Sequence, residues 1–171
     1  MPSSSAFSRS QVAVIELRST SSEQTRAIAA VLASALREGD IVVLSGDMGA
    51  GKTTFVQGAA EALGVKARVT SPTFVLMRQY EGGTRVVHVD VYRLSSLQEL
   101  IDLGYEELFA PDAVTFIEWG DAVSGLMPGD RLEVDIRPMG GDERRITIGA
   151  RGPALRARLD AMPFGLWVAR V

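Results

Sequence analysis

Ile41-Val42-Val43-Leu44-Ser45-Gly46-Asp47-Met48-Gly49-Ala50-Gly51-Lys52-Thr53-Thr54 is the stretch that decides the fold. Ile41 to Ser45 is a continuous apolar run of the kind found in a strand covered on both faces. Gly46 to Thr53 matches G-x-x-x-x-G-K-[ST] at every position. Lys52 to Leu63 then has the pattern of a helix, closed by Gly64. Strand, glycine-rich turn and helix together form the context in which backbone N–H groups and a helix N-terminus converge on phosphate oxygens. In such a loop Lys52 reaches the β- and γ-phosphates and the Thr53 hydroxyl serves magnesium. Lys52 is one of only two lysines in the chain, the other being Lys66.

Upstream, Val12 to Leu17 suggests a short strand, and Ser21-x-x-Gln24 is a capping box for a helix with Ile28, Val31, Leu32 and Ala35 inward, stopped at Gly39. Downstream, Val75 to Tyr80 and Thr84 to Val91 read as a hairpin about Glu81-Gly82-Gly83. Ser96-x-x-Glu99 caps a helix carrying Leu97, Leu100, Ile101 and Leu103, and Pro111 marks a break. Ala113 to Ile117 is a second buried strand. Arg131 to Ile136 and Arg144 to Ile148 make two late strands joined through Gly140-Gly141, and Pro153 opens a last helix with Leu155 and Leu159 inward. The expected class is α/β, a three-layer P-loop NTPase domain with a mixed, partly antiparallel sheet. Residues 1–10, with five Ser, read as a disordered tail, 11–150 as the ATPase domain, and 151–171 as a helix and tail packing on or extending it.

Composition narrows the chemistry. The 171 residues include no Cys and one His, which removes zinc fingers, iron–sulfur ligation and thiol nucleophiles. With 18 basic and 21 acidic residues the net charge is -3, unlike the cationic surface of a freestanding nucleic-acid binder. No apolar run approaches the length of a membrane helix and no secretory signal begins the chain, so a cytoplasmic protein is expected. The chain has no Asn, so the guanine-reading Asn-Lys-x-Asp element cannot exist and ATP is preferred to GTP.

A phosphate loop needs a strand-end carboxylate for the magnesium shell, and Glu118, after Val114-Thr115-Phe116-Ile117, has that form. Asp90, after Val86-Val87-His88-Val89, is the second candidate; one acid suits the metal and the other the attacking water. Ser71-Pro72-Thr73 reads either as a plain turn or as a hydroxyl that senses the γ-phosphate. His88 reads as a hydrogen-bonded structural residue or a proton shuttle, and Trp119 as a packed aromatic or a ligand platform.

Taken in order, Gly46 to Thr54, Ser71-Pro72-Thr73-Phe74, His88-Val89-Asp90-Val91-Tyr92-Arg93-Leu94, Leu103-Gly104-Tyr105-Glu106-Glu107 and Ile117-Glu118-Trp119 resemble the TsaE (YjeE) family of bacterial ATPases, required for threonylcarbamoyladenosine biosynthesis on tRNA. The likeness runs from about Val14 to Ile148, with Met48 where the family usually has Leu. The resemblance implies a magnesium-dependent ATPase, weak alone, that works with TsaB and TsaD. It implies ATP contacts from Gly49, Ala50, Gly51, Lys52, Thr53 and Thr54, magnesium at Thr53 and Glu118, and hydrolysis dependent on Asp90. It further implies a nucleotide-proximal stretch including Ser22 and Thr25, a switch-like Thr73, Trp119 near the nucleotide and a contact from Arg145. The acidic balance then implies that tRNA is gripped by the partners. Two rival readings share the loop: a small-molecule kinase, and a nucleotide-gated binding module with incidental turnover.

Overall fold

The computed structural model describes residues 13–73, 76–91, 94, 97–102, 104–118, 125 and 127–168. The Ser-rich stretch, the Ser96 cap, Leu103 and Trp119 lie outside these residues, as do Phe74, Tyr92 and Arg93. The strands are β1 (Ala13–Ser19), β2 (Ile41–Ser45), β3 (Met77–Tyr80), β4 (Arg85–Asp90), β5 (Ala113–Glu118), β6 (Arg131–Gly140) and β7 (Glu143–Arg151). The helices are α1 (Ser22–Ala33), α2 (Lys52–Ala62), α3 (Leu97–Asp102), α4 (Tyr105–Leu108) and α5 (Pro153–Asp160). No helix among the described residues is long and apolar enough to cross a membrane.

All seven strands join one sheet in the order β1-β7-β6-β2-β5-β4-β3. The central strands β6, β2, β5 and β4 are parallel, while β3, β7 and β1 pair antiparallel with their neighbours at the two flanks. The sheet is therefore mixed. Its central strands read as unbroken apolar runs because both faces are covered. Val42, Leu44, Val114 and Phe116 enter a core built with α1, α2 and α5. Ile41, Val43, Ala113 and Ile117 enter a second core with Leu100, Leu108 and Met127. In β6 only Leu132, Val134 and Ile136 are buried, between partly exposed Arg131, Glu133 and Asp135, the period of two expected of a strand with one apolar face.

Two boundaries differ from the sequence expectation. Helix α1 ends at Ala33 and not at Gly39. Past it, the Ser34 hydroxyl donates to the Val31 carbonyl at 2.6 Å, the Asp40 carboxylate accepts from the Arg37 N–H at 2.7 Å, and Arg158 donates to the Ala35 carbonyl at 2.7 Å. These side-chain bonds give residues 34–40 an alternative to further helical turns. In α3, Leu100 is buried whereas Ile101 is 41% exposed, because successive helical residues lie about 100° apart. Strands β6 and β7 extend past the expected limits to meet at a turn in which Gly140 and Gly141 have φ of +112° and +53°.

Helix α2 lies against α1 through Gly58, where an added Cβ would overlap the carbonyl group and Cα of Arg26. In an exposed helix Gly→Ala stabilises by about 0.5–1 kcal/mol. Here Gly58→Ala is expected to destabilise by about 1–3 kcal/mol, because the helices must separate to admit the methyl group. A urea midpoint that rises instead would show that the α1–α2 contact yields freely.

Candidate functional site

Parallel strands β2, β5 and β4 end side by side, and the chemistry-bearing residues follow directly from their carboxyl ends. After Ser45 the loop 46–51 turns back toward α2 through three glycines of positive φ, Gly46 at +139°, Gly49 at +78° and Gly51 at +112°. At Gly46 a Cβ would also strike the Ile136 carbonyl oxygen of β6, so both conformation and space require glycine. Around Gly49 and Gly51 nothing lies within 4 Å of a built Cβ. The backbone there opens onto free space. Gly51 is the N-cap of α2 and offers no side-chain cap, so the helix N-terminal N–H groups face the loop, a disposition that suits phosphate.

Lys52 is the first residue of α2, yet it is only 4% exposed, because its side chain folds back over the loop. Its Nζ donates to the carbonyls of Gly46 at 2.7 Å and Asp47 at 2.9 Å. Burial pushes the ammonium pKa below its ordinary value, opposed by the charges of Glu118, Asp90 and Asp47. A desolvated cation held by two carbonyls is ready to exchange them for anionic oxygens.

Two carboxylates lie beside it on neighbouring strands, Glu118 at the end of β5 in register with Asp90 at the end of β4. They are 3% exposed each and have different partners. The Thr53 hydroxyl donates to Glu118 Oε1 at 3.1 Å. His88 Nε2 lies 2.7 Å from the same oxygen. Asp90 Oδ2 instead accepts from the Thr73 hydroxyl at 2.7 Å, which lies 2.6 Å from Ser71 Oγ. The Leu76 N–H donates to the Pro72 carbonyl at 2.6 Å. Leu76 has a φ of +66°, the one described non-glycine residue in the left-handed region, and its carbonyl accepts the Asp90 N–H at 2.9 Å. Asp90 is thus tied to Leu76 through its main chain and to Thr73 through its side chain.

On the other side of the loop lies an open cavity of about 380 Å³. Ser22, Thr25, Gly49, Ala50, Gly51 and Thr54 line it, together with Ser21, Glu23, Asp142 and Arg144. Ser21 is the N-cap of α1, its hydroxyl accepting the Gln24 N–H at 3.1 Å. Thr25 forms wall, its hydroxyl sharing a 2.7 Å hydrogen bond with Ser19.

Arg145 is not brought to the cavity. It points to the opposite sheet face and pairs with Glu16 at 3.5 Å. Arg144 takes the place the sequence reading gave to Arg145, donating from Nε to the Ala50 carbonyl at 2.9 Å and from a terminal nitrogen to the carbonyls of Gly141 and Glu143. The signal that separates them is the alternation of β7: buried Ile146 and Ile148 put even-numbered residues on the face of α1 and α2. Trp119 lies outside the described residues.

The donor set suits a nucleotide and its metal. Gly49 and Gly51 leave room where side chains would fill the phosphate cradle, and Lys52 supplies a buried cation. Among the described residues no group of three or more His, Cys, Asp or Glu could hold a metal alone. A hydroxyl and one carboxylate, Thr53 and Glu118, are what magnesium requires when phosphates and water complete its shell.

A family model described as "Threonylcarbamoyl adenosine biosynthesis protein TsaE" matches residues 19–146. The chain is 41% identical over 139 residues to the tRNA threonylcarbamoyladenosine biosynthesis protein TsaE of Bacillus subtilis strain 168, covering 81% of this chain and 87% of the relative. It is 43% identical over 129 residues to the protein of the same name from Streptomyces coelicolor, covering 71% and 86%. Among solved structures, the crystal structure of Bacillus subtilis YdiB superposes with a TM-score of 0.76 at 35% identity, over 87% of this chain and 93% of that one. With the matched span running from the end of β1 to β7 and enclosing the loop, both strand-end acids and the cavity wall, the chain belongs to the TsaE family.

Proposed function

We propose that this protein is the ATPase of tRNA threonylcarbamoyladenosine biosynthesis and hydrolyses ATP at the 46–54 loop. Its family acts in that modification, and the chain shares the role. What carries the ATPase reading is the convergence of the buried Lys52 ammonium, the Thr53–Glu118 pair and the Thr73–Asp90 pair at the carboxyl ends of adjacent strands. Loop N–H groups and Lys52 hold the β- and γ-phosphates; Thr54 and the cavity walled by Ser22, Thr25 and Arg144 receive the rest of the nucleotide. Thr53 and Glu118 would hold a magnesium ion, which when bound neutralises charge on the phosphate oxygens. Asp90 orients water in line with the γ-phosphorus. The bond from that phosphorus to the β–γ bridging oxygen breaks, releasing ADP, phosphate and a proton.

The purpose of hydrolysis in this reading is conformational. Thr73, tied to Asp90 and beside the γ-phosphate position, changes partners as ATP becomes ADP, and nucleotide state in this way resets the TsaB–TsaD complex between rounds. With a net charge of -3, the chain leaves tRNA to those partners, in the cytoplasm. The test is tRNA modification over several turnovers by the reconstituted proteins with ATP or a non-hydrolysable analogue. Expected are free phosphate and repeated turnover with ATP, and a single round with the analogue. Equal turnover with both would leave a nucleotide-gated binding module, and transfer of label from ATP to a metabolite would indicate a kinase.

A further inference from the structure

His88 is unusual for a core residue. It lies on β4 with no exposed surface, two residues before Asp90 and on the same sheet face as Asp90 and Glu118. Its Nε2 is 2.7 Å from Glu118 Oε1, the oxygen that also accepts from Thr53 at 3.1 Å. Glu118 Oε1 already accepts from the Thr53 hydroxyl, and as acceptor of this second bond it requires the hydrogen to lie on His88 Nε2. Nδ1 is fully buried and has no partner among the described residues, with a hydrogen or without one. Val86 and Phe116, core neighbours on the same face, show that an apolar side chain fits there without leaving a polar atom orphaned. The imidazole is therefore a poor solution for packing and a good one for holding Glu118.

We propose that His88 is a positioning residue, holding Glu118 Oε1 together with the Thr53 hydroxyl so that the carboxylate keeps one orientation toward the magnesium site. This rests on the reading of Glu118 as the magnesium-side acid. Carboxylates that serve metals are commonly fixed by a second hydrogen bond, and removing such a partner typically weakens metal affinity about 10–100-fold.

His88 is the only histidine in the chain, so its ring nitrogens are read by ¹⁵N NMR on uniformly labelled protein without assignment. Expected is the Nε2–H tautomer in the nucleotide-free protein, with a resonance that moves on adding ADP with magnesium and not on adding ADP with a chelator. Alongside, fluorescent ADP is titrated with magnesium in the wild type, His88→Leu and His88→Gln. His88→Leu fills the space and removes the donor; its apparent magnesium affinity is expected to fall about 10–100-fold while magnesium-free ADP binding stays level. Gln places an amide Nε2–H near the lost donor, so His88→Gln recovers most of the affinity. An Nδ1–H tautomer, wild-type magnesium dependence in His88→Leu, or equal loss in both variants overturns the proposal. If His88→Leu does not fold, the tautomer and its response to magnesium decide. Wild-type binding indifferent to magnesium would overturn the reading of Glu118 and this proposal with it, whereas a magnesium-dependent wild type with an indifferent His88→Leu overturns only the latter.

Discussion

Lys52→Ala is expected to weaken ATP binding by about 10²–10³-fold, roughly 3–4 kcal/mol, with the fold intact. Truncating one member of a desolvated charge pair typically carries a penalty of that size, because the phosphate oxygens are left without their charged partner. In the nucleotide-free protein the same change removes a buried ammonium whose desolvation is unfavourable, along with its two bonds to the Gly46 and Asp47 carbonyls. Those effects oppose each other, so the urea midpoint is expected to move by about 1 kcal/mol or less. Calorimetric titration with MgATP beside urea unfolding separates the two quantities, and unchanged ATP affinity would remove the loop from the site.

A pH dependence follows from the same burial. The folded-state pKa of Lys52 lies below its ordinary value, so between the two the unfolded chain binds more protons. This group's contribution to the stability of the nucleotide-free protein therefore rises with pH through that window and is lost as pH falls through the folded-state pKa. Over the same window ATP binding weakens, since the ammonium that meets the phosphates is being lost. The stability difference between the wild type and Lys52→Met across a pH series isolates the group. A flat difference would mean that the ammonium is as well solvated folded as unfolded.

How much of this was legible depends on how local the determinant is. The β2–loop–α2 unit was readable because its glycines, lysine and threonine are fixed by backbone conformation and phosphate chemistry within a few residues, and β2 spans the expected 41–45. Glu118 and Asp90 were readable as candidates because an apolar run announces a buried strand and the first acid after it marks the strand's end. Their adjacency was not. It depends on the order β2-β5-β4, which pairs Ile41 with Thr115 and Asp90 with Glu118 across long stretches of chain, and the His88–Glu118 bond likewise joins residues 30 apart. The misplacement of Arg145 was avoidable, for the phase of Ile146 and Ile148 was already in the sequence. Residues 34–40 were not legible as turns, since the bond from Arg158 to the Ala35 carbonyl arrives from the far end of the chain.

Asp90→Asn is expected to lower the rate of ATP hydrolysis about 10²–10⁴-fold while leaving ATP affinity unchanged or slightly tighter, a separation of kcat from binding that distinguishes Asp90 from Lys52. The argument starts from shape. Asn is isosteric with Asp and retains an oxygen for the Thr73 hydroxyl, so the 2.7 Å bond can persist. What is lost is the negative charge that, in the proposed mechanism, orients the attacking water. Removing a carboxylate close to where triphosphate binds also removes a repulsion, hence the tighter binding. Glu118→Gln should behave differently, changing the magnesium dependence of binding as well as the rate, because its carboxylate is shared with Thr53 rather than Thr73. Single-turnover hydrolysis with saturating ATP gives the chemical step and fluorescent ADP gives affinity. A normal single-turnover rate in Asp90→Asn would pass the water-orienting role to Glu118 and leave Asp90 as the anchor of Thr73 and Leu76. With that rate reduced as expected, the variant holds ATP bound, and together with TsaB and TsaD it should stop after one round of tRNA modification, as the wild type does with the non-hydrolysable analogue.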